Sequence, residues 1–368
     1  MNRGYKILFI LFFLVLEVFA YINAYVIDLK GATVDSDRFR EKASEWAVFG
    51  DLQFATDSAF FIQYLGVLNK IFGDNEFLLT QIGLVAMVAA GVYFYKLLKI
   101  FHIRHCWFFL LLFFLWPSSL PRVTTTMREP YLIFIIMVVS YHLLSYVHQG
   151  IKNDLYKTIF WAAIGALFHK AFAVLFLGIL AYVFVIRTKN FSGHDFIVRL
   201  AIVFGAGALI WRYSGTLLDV KGLNAASSLV TGDTEYIRRI VEYKSNREFR
   251  TTYKATMEFT SIWAFIKSAP LALLYYLFAP FPWTVRSPLD VYGAFEGLFR
   301  IFGVLALFRI PRDELKFALP VALVVAMLIF IWAAGTANYG TASRHHITTN
   351  WFFFLVIGVW WFREKAYI

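Results

Sequence analysis

The chain has 368 residues, of which 60% are hydrophobic and 16% charged, and its mean hydropathy is +0.63. Soluble domains carry about 45–50% apolar and about 25% charged residues, so this composition excludes soluble, disordered and fibrous classes. The formal net charge is +11, but the basic residues stand mostly in short gaps between apolar runs, where they set topology. We therefore predict a polytopic, all-α integral membrane protein that binds no nucleic acid.

Apolar runs along the chain predict the membrane spans, because a span needs about 20 predominantly apolar residues. The first run follows two basic residues but lacks a small-residue cleavage pattern, so it predicts an uncleaved span. Two shorter runs, at 158–168 and 270–281, indicate a broken helix and a re-entrant or interfacial segment. The nine longer runs lie at 7–26, 77–95, 106–121, 130–147, 171–186, 196–211, 291–308, 317–334 and 347–362.

Basic residues cluster in six short loops or tails, which the positive-inside rule assigns to the cytoplasm. This assignment requires that 158–186 crosses twice and that 270–281 dips in from the outer face. The result is about ten transmembrane helices with both termini in the cytoplasm. Residues 1–368 then form a single transmembrane domain with two main outer loops: 27–76, which is acidic, and 212–290, which holds a basic helix and the re-entrant segment.

The first outer loop contains an unusual number of carboxylates for so apolar a chain. A general base must lie within hydrogen-bond reach of the proton that it removes, and Asp35, Asp37 and Asp57 are the best candidates for that role. Arg38 in the same loop is a candidate for substrate binding. The alternative is a solvated loop whose acidic and basic residues balance one another.

The second outer turn, at 116–130, places Arg122, Arg128 and Glu129 beside the start of a long apolar run. Charged side chains within the membrane are energetically costly unless they are paired with an opposite charge or have a function. The planar guanidinium of arginine holds phosphate oxygens at two points, so the two arginines fit a lipid-linked phosphate or diphosphate. Glu129 is a further candidate for a catalytic residue, and the alternative is a structural Arg128–Glu129 pair at a helix start.

His169 and Lys170 interrupt the apolar stretch 158–186. An ionisable pair inside the membrane is a functional candidate, with His169 in a catalytic role and Lys170 in substrate binding. The alternative is a turn at the membrane–water interface.

The stretch 212–262 is the longest polar insertion, and its basic part resembles an amphipathic helix lying on the membrane surface. It would bind an anionic glycan or anionic headgroups, or it is a solvated face. The candidate binding residues there are Arg238, Arg239, Arg247 and Arg250.

The outer hairpin at 335–346 presents Asn338, Arg344 and His345 together. Adjacent histidines cannot both face one metal from a helix, and no carboxylate lies nearby in sequence. We therefore predict that these residues contact a phosphate or a sugar, and we predict no metal site.

Several segments together resemble the Wzy/EpsG-like O-antigen and exopolysaccharide polymerases, within the wider GT-C class of glycosyltransferases that use polyprenyl-linked sugars. The matching segments follow one another in the expected order over most of the chain. They are the acidic loop from Asp35 to Asp57, QYLGVLNKIFGDNEFLLTQIG before the second span, WPSSLPRVTTTMREP, FHKA and NYGTASRHH.

The resemblance implies a polymerase that joins undecaprenyl-diphosphate-linked oligosaccharide repeats at the periplasmic face of the bacterial inner membrane. A first-loop aspartate would act as the base and outer arginines would hold the diphosphate. No cofactor is implied; the partners are the lipid-linked glycan, membrane lipid and a chain-length regulator protein. Two other classes stay open: a flippase or transporter for lipid-linked sugars, and a membrane acyltransferase with His169 or His345 as base.

Overall fold

A computed structural model describes residues 3–27, 33–181, 252, 255–258, 261–336 and 338–363. Within these ranges the regular secondary structure is helical and contains no β-strand, which confirms the predicted all-α class. In chain order the helices are α1 (Arg3–Tyr25), α2 (Thr33–Phe49), α3 (Asp57–Phe72), α4 (Glu76–Ile100), α5 (Cys106–Phe114), α6 (Leu120–Val123), α7 (Glu129–Gln149), α8 (Lys152–Phe168), α9 (Lys170–Ala181), α10 (Ile262–Phe278), α11 (Pro288–Leu307), α12 (Arg312–Gly335), α13 (Tyr339–His346) and α14 (Asn350–Trp361), with a short 3₁₀ turn at Pro282–Thr284.

Four of the described helices, α1, α4, α7 and α12, are long and apolar enough to cross a membrane. Large apolar side chains are exposed on α1, α4 and α12. On α1, for example, Leu14 and Val18 are exposed whereas the polar side chain of Asn23 is buried. This inversion of the usual pattern for a soluble protein indicates that lipid, rather than water, surrounds the helix.

The chain divides into two compact units. Unit 1 contains Met1–His169, Phe302–Val321 and Asn350–Ile368, and unit 2 contains Lys170–Ile301 and Ala322–Thr349.

In unit 1, α7 and α8 form a helical hairpin around Gly150, whose φ of 74° lies in the left-handed region that favours glycine at a helix end. On α7, His142 Nδ1 lies 2.8 Å from Asp154 Oδ1 on α8, and both side chains are buried. Helix α4 packs against α1 and α7 in the same unit.

The predicted loop at 27–76 contains a second helical hairpin, formed by α2 and α3. Trp46 of α2 lies against Gly66 of α3, and the Lys70 Nζ stands 4.9 Å from the centroid of the Trp46 ring. Asn69 Nδ2 donates to Ser44 Oγ over 2.9 Å. These contacts give the polar segment a defined helical structure.

Three predicted apolar segments differ from the helices that the structure contains. The segment 106–121 is not one continuous span, because α5 ends at Phe114. The reason is Pro117, which lacks an N–H and disfavours helical geometry at the residue before it. The predicted re-entrant segment 270–281 lies mostly within the longer α10, and the segment 347–362 contains only the 12 residues of α14.

Candidate functional site

An ion pair between Arg128 and Asp57 is the centre of the candidate site in unit 1. The Arg128 Nη1 donates to Asp57 Oδ1, and it also lies 3.3 Å from the backbone oxygen of Phe168. One guanidinium therefore joins three segments: the start of α3, the start of α7 and the end of α8. Two of the predicted site residues, 71 positions apart in the chain, are in direct contact.

The helix ends explain where these two side chains point. Asp57 is the first residue of α3, and its φ of 60° lies in the left-handed region, which aspartate tolerates better than most residues. Arg128 is the cap residue of α7, with Glu129 and Pro130 following as the first helical residues. A proline there costs no hydrogen bond, because the first N–H groups of a helix have no intrahelical acceptor.

Burial distinguishes Asp57 from the other predicted aspartates, Asp35 and Asp37. The Arg128 side chain is 10% exposed and the Asp57 side chain 23% exposed, so the pair is partly shielded from solvent. Beyond the contact with Arg128, Asp57 makes no side-chain hydrogen bond to another described residue.

Asp35, Asp37 and Arg38 lie on the exposed face of α2. The buried face of that helix turns Ser36 towards Thr126, and the two hydroxyl oxygens are 2.6 Å apart. Asp57 is in contact with a predicted arginine, Arg128, whereas Asp35 and Asp37 are exposed on α2.

Aromatic side chains line the pair on the Phe168 side. The Phe168 ring stacks on Tyr131 at 5.3 Å between centroids and meets Phe60 edge-on at 5.0 Å. The Tyr64 hydroxyl donates to the Tyr131 hydroxyl over 3.1 Å. Burial raises the pKa of Tyr64 above its ordinary value, so this hydroxyl stays protonated at neutral pH.

Arg122 and Glu129, the remaining predicted residues of the second turn, are buried. The Arg122 Nη1 donates to the backbone oxygen of Ser118 over 2.6 Å. His169 has extended backbone geometry and separates α8 from α9, so the predicted turn at His169-Lys170 coincides with a break between two helices.

A second polar cluster lies in unit 2. The side chain of Asn338 caps α13 by accepting from the Thr341 N–H, and His345 stacks on Trp332 at 5.1 Å. Both residues, with Arg344, are predicted site residues, and all three are only partly buried. The predicted residues Arg238, Arg239, Arg247 and Arg250 lie outside the described part of the chain.

Unit 2 also contains buried charged residues that are not among the predicted site residues. Glu296 and Arg300 of α11 are 1% and 2% exposed and form an ion pair of 3.6 Å. The Arg300 Nε donates to the backbone oxygen of Leu277 over 2.5 Å. Tyr339 donates to the buried Asp290 over 2.9 Å. The spacing of Glu296 and Arg300, four residues apart in an apolar run, was the available sequence pattern.

Among the described residues, no group of three or more His, Cys, Asp or Glu side chains could hold a metal ion. Comparisons with protein-family models, with curated proteins and with solved structures give no match for this chain.

Proposed function

We propose that the protein is a membrane glycosyltransferase that joins polyprenyl-diphosphate-linked oligosaccharide repeats, as the O-antigen and exopolysaccharide polymerases do. The observation that carries the proposal is the Arg128–Asp57 pair at the end of an apolar helix. A cation for the diphosphate and a carboxylate for the acceptor are the two groups that this reaction needs from the protein.

In the proposed reaction, an acceptor sugar hydroxyl attacks the anomeric carbon of the donor repeat. The new glycosidic C–O bond forms as the bond from that carbon to the diphosphate oxygen breaks. The hydroxyl proton passes to Asp57. The diphosphate leaves with the bonding electrons on the polyprenyl carrier, and Arg128 stabilises its charge, because a guanidinium binds phosphate oxygens in a fixed planar geometry.

A transporter for lipid-linked sugars is the second candidate, and it is supported by a different observation. Glu296 and Arg300 are fully buried in α11, and charged residues buried within membrane proteins often mark substrate or ion pathways. The two functions differ in which intermediate accumulates when the protein fails. A failed polymerase leaves single capped repeats, whereas a failed transporter leaves no capped repeat.

The test compares Asp57→Asn with Asp37→Asn in cells that lack the native chain. Asparagine preserves the shape of aspartate but cannot accept the proton, so we expect Asp57→Asn to lower polymer formation by about 100-fold or more. Asp37→Asn is the matched control, because Asp37 lies on the exposed face of α2, and it should leave polymer unchanged. The readout is the glycan profile together with the amount of protein in the membrane.

Three outcomes are informative. Loss of polymer with capped single repeats retained and normal protein level supports the polymerase. Loss of capped repeats supports the transporter. Normal polymer in Asp57→Asn contradicts the role of Asp57 as the base and leaves its contact with Arg128 a structural one.

A further inference from the structure

The end of α2 and the following loop expose four large apolar side chains. Val48, Phe49, Leu52 and Phe54, named here the apolar tip, are 70% to 88% exposed. Single exposed apolar residues are common on protein surfaces, but four within seven positions form a patch. Asp51 is the one charged residue between Val48 and Phe54.

The exposed surface of α2 changes character along the helix. Apart from Val34, the first turns of α2 expose the charged residues Asp35, Asp37 and Glu41, whereas its last turn exposes Val48 and Phe49. A helix wholly in water has no reason for that change, whereas a helix whose end reaches lipid does.

Contacts at the start of α4 indicate where the membrane boundary lies. Tyr25, at the end of the apolar helix α1, donates to Asn75 Oδ1 over 3.1 Å, and its ring lies 6.1 Å from that of Phe77. Tyrosines at the end of an apolar span mark the interface between lipid and water. Asn75 follows the last residue of α3, Phe72, by three positions, so α3 ends at this interface.

The last turn of α3 also contacts α2 two residues before the apolar tip begins. Lys70, on the last turn of α3, lies over the ring of Trp46, 4.9 Å from its centroid. Ile71 and Phe72 beside Lys70 are exposed. A tryptophan and a lysine beside exposed apolar residues are typical of segments at the bilayer boundary, where the amine reaches the headgroups and the rings reach the acyl chains.

We propose that the apolar tip inserts into the bilayer that surrounds α1 and α4, at the face where α1 ends and α4 begins. The α2–α3 hairpin is then an interfacial element of the protein. The exposed apolar surface of α1 continues through the Tyr25–Asn75 contact to Ile71 and Phe72, and this continuity favours lipid over a protein partner as the occupant.

Insertion has a consequence for the candidate site. Asp57, at the start of α3, follows Phe54 by three positions, so the tip would hold the Arg128–Asp57 pair near the depth of lipid phosphates. This consequence goes beyond the proposed glycosyl transfer, because any lipid-phosphate ligand would meet the pair at that depth.

Nitroxide labels on the full-length protein in lipid nanodiscs test the insertion directly. The single cysteine, Cys106, is buried, so Phe49→Cys and Phe54→Cys can be labelled selectively. Asp37→Cys is the control for water and Val18→Cys, on the exposed face of α1, is the control for lipid. The measurement is the collision rate of each label with dissolved oxygen and with a water-soluble nickel complex.

We expect both tip labels to resemble Val18→Cys, with a ratio of oxygen to nickel collisions several-fold above that of Asp37→Cys. A ratio equal to that of Asp37→Cys would mean that the tip is solvated and would overturn the proposal. Protection from both reagents would mean that protein covers the tip, which also overturns it. The test measures no catalytic activity, so its failure and the failure of the proposed glycosyl transfer are separate results.

Discussion

Arg128 shows how one side chain can connect distant parts of a membrane protein. Its guanidinium is mostly buried, which is costly for a charge unless it is paired and hydrogen-bonded. Asp57 provides the opposite charge, and the backbone oxygen of Phe168 provides a second acceptor. The same contacts hold the guanidinium in place at the junction of α3, α7 and α8.

For Arg128→Lys we expect the protein to remain folded and most of the activity to be lost. A lysine keeps the positive charge beside Asp57, so the partly buried carboxylate stays paired. Its ammonium is a single point charge and cannot hold two phosphate oxygens in one plane. Glycan profiling measures the activity, and membrane abundance with thermal stability in detergent measures the fold. Normal polymer length at normal abundance would assign Arg128 a structural role only.

Close packing of helices in unit 2 depends on two glycines of α11. Gly293 and Gly297 are four residues apart and face Pro280 and Phe278, respectively. A methyl group on Gly297 would overlap the backbone oxygen of Phe278, whereas one on Gly335 would meet nothing within 4 Å. Small residues spaced in this way let helix backbones approach closely in membranes, where packing replaces the hydrophobic effect as the driving force.

Gly297→Ala should therefore lower the thermal stability of the detergent-solubilised protein. A backbone atom cannot rotate away as a side chain would, so α10 and α11 must separate, and overpacking of this kind costs about 1–3 kcal/mol. Gly335→Ala is the matched control and should leave the melting temperature within the error of the wild-type value. Equal melting temperatures for the two variants would show that the contact between Gly297 and Phe278 contributes nothing to stability.

Helix α11 exposes apolar side chains and buries charged ones. On α11, Phe295 and Leu298 are exposed while Asp290, Glu296 and Arg300 are buried. A soluble protein shows the reverse arrangement, because exposed apolar area costs roughly 25 cal/mol per Å² in water. Because these charged side chains are buried within the protein, they do not contact lipid. This arrangement agrees with the membrane location that the apolar helices indicate.

We predict the orientation of the whole chain in the membrane. Reporter fusions at Gly31, Gly232 and Gly340 should all report the outer face, because the basic clusters place the opposite loops in the cytoplasm. Helix α12 begins with Arg312 and is long enough to separate that end from Gly340 by a full span. A cytoplasmic result at Gly340 alone would mean that the 270–281 segment crosses the membrane and that the last three crossings are inverted.

The sequence alone determined the helical class and the positions of the long apolar helices. Hydropathy belongs to each residue, and a span is a continuous run of such residues, so α1, α4, α7 and α12 could be located without any tertiary contact. The break near Pro117 also has a local cause, since proline acts on its own backbone, but the prediction of one span over 106–121 missed it. Arg128 and Asp57 could be selected separately, because each is a charged residue close to an apolar run.

Only the tertiary structure decided that these two residues meet, and that Asp35 and Asp37 lie on the exposed face of α2. Their contact joins positions 71 residues apart, and it depends on how α3 packs against α7 and α8, which no local pattern encodes. The first turns of α2 are polar on several sides, so the sequence could not tell which side is buried; the Ser36–Thr126 contact settles it. Likewise, the inward direction of Glu296 and Arg300 follows from the packing of α11 against its neighbours, because in a membrane the interior of the protein is the environment that accepts a charge.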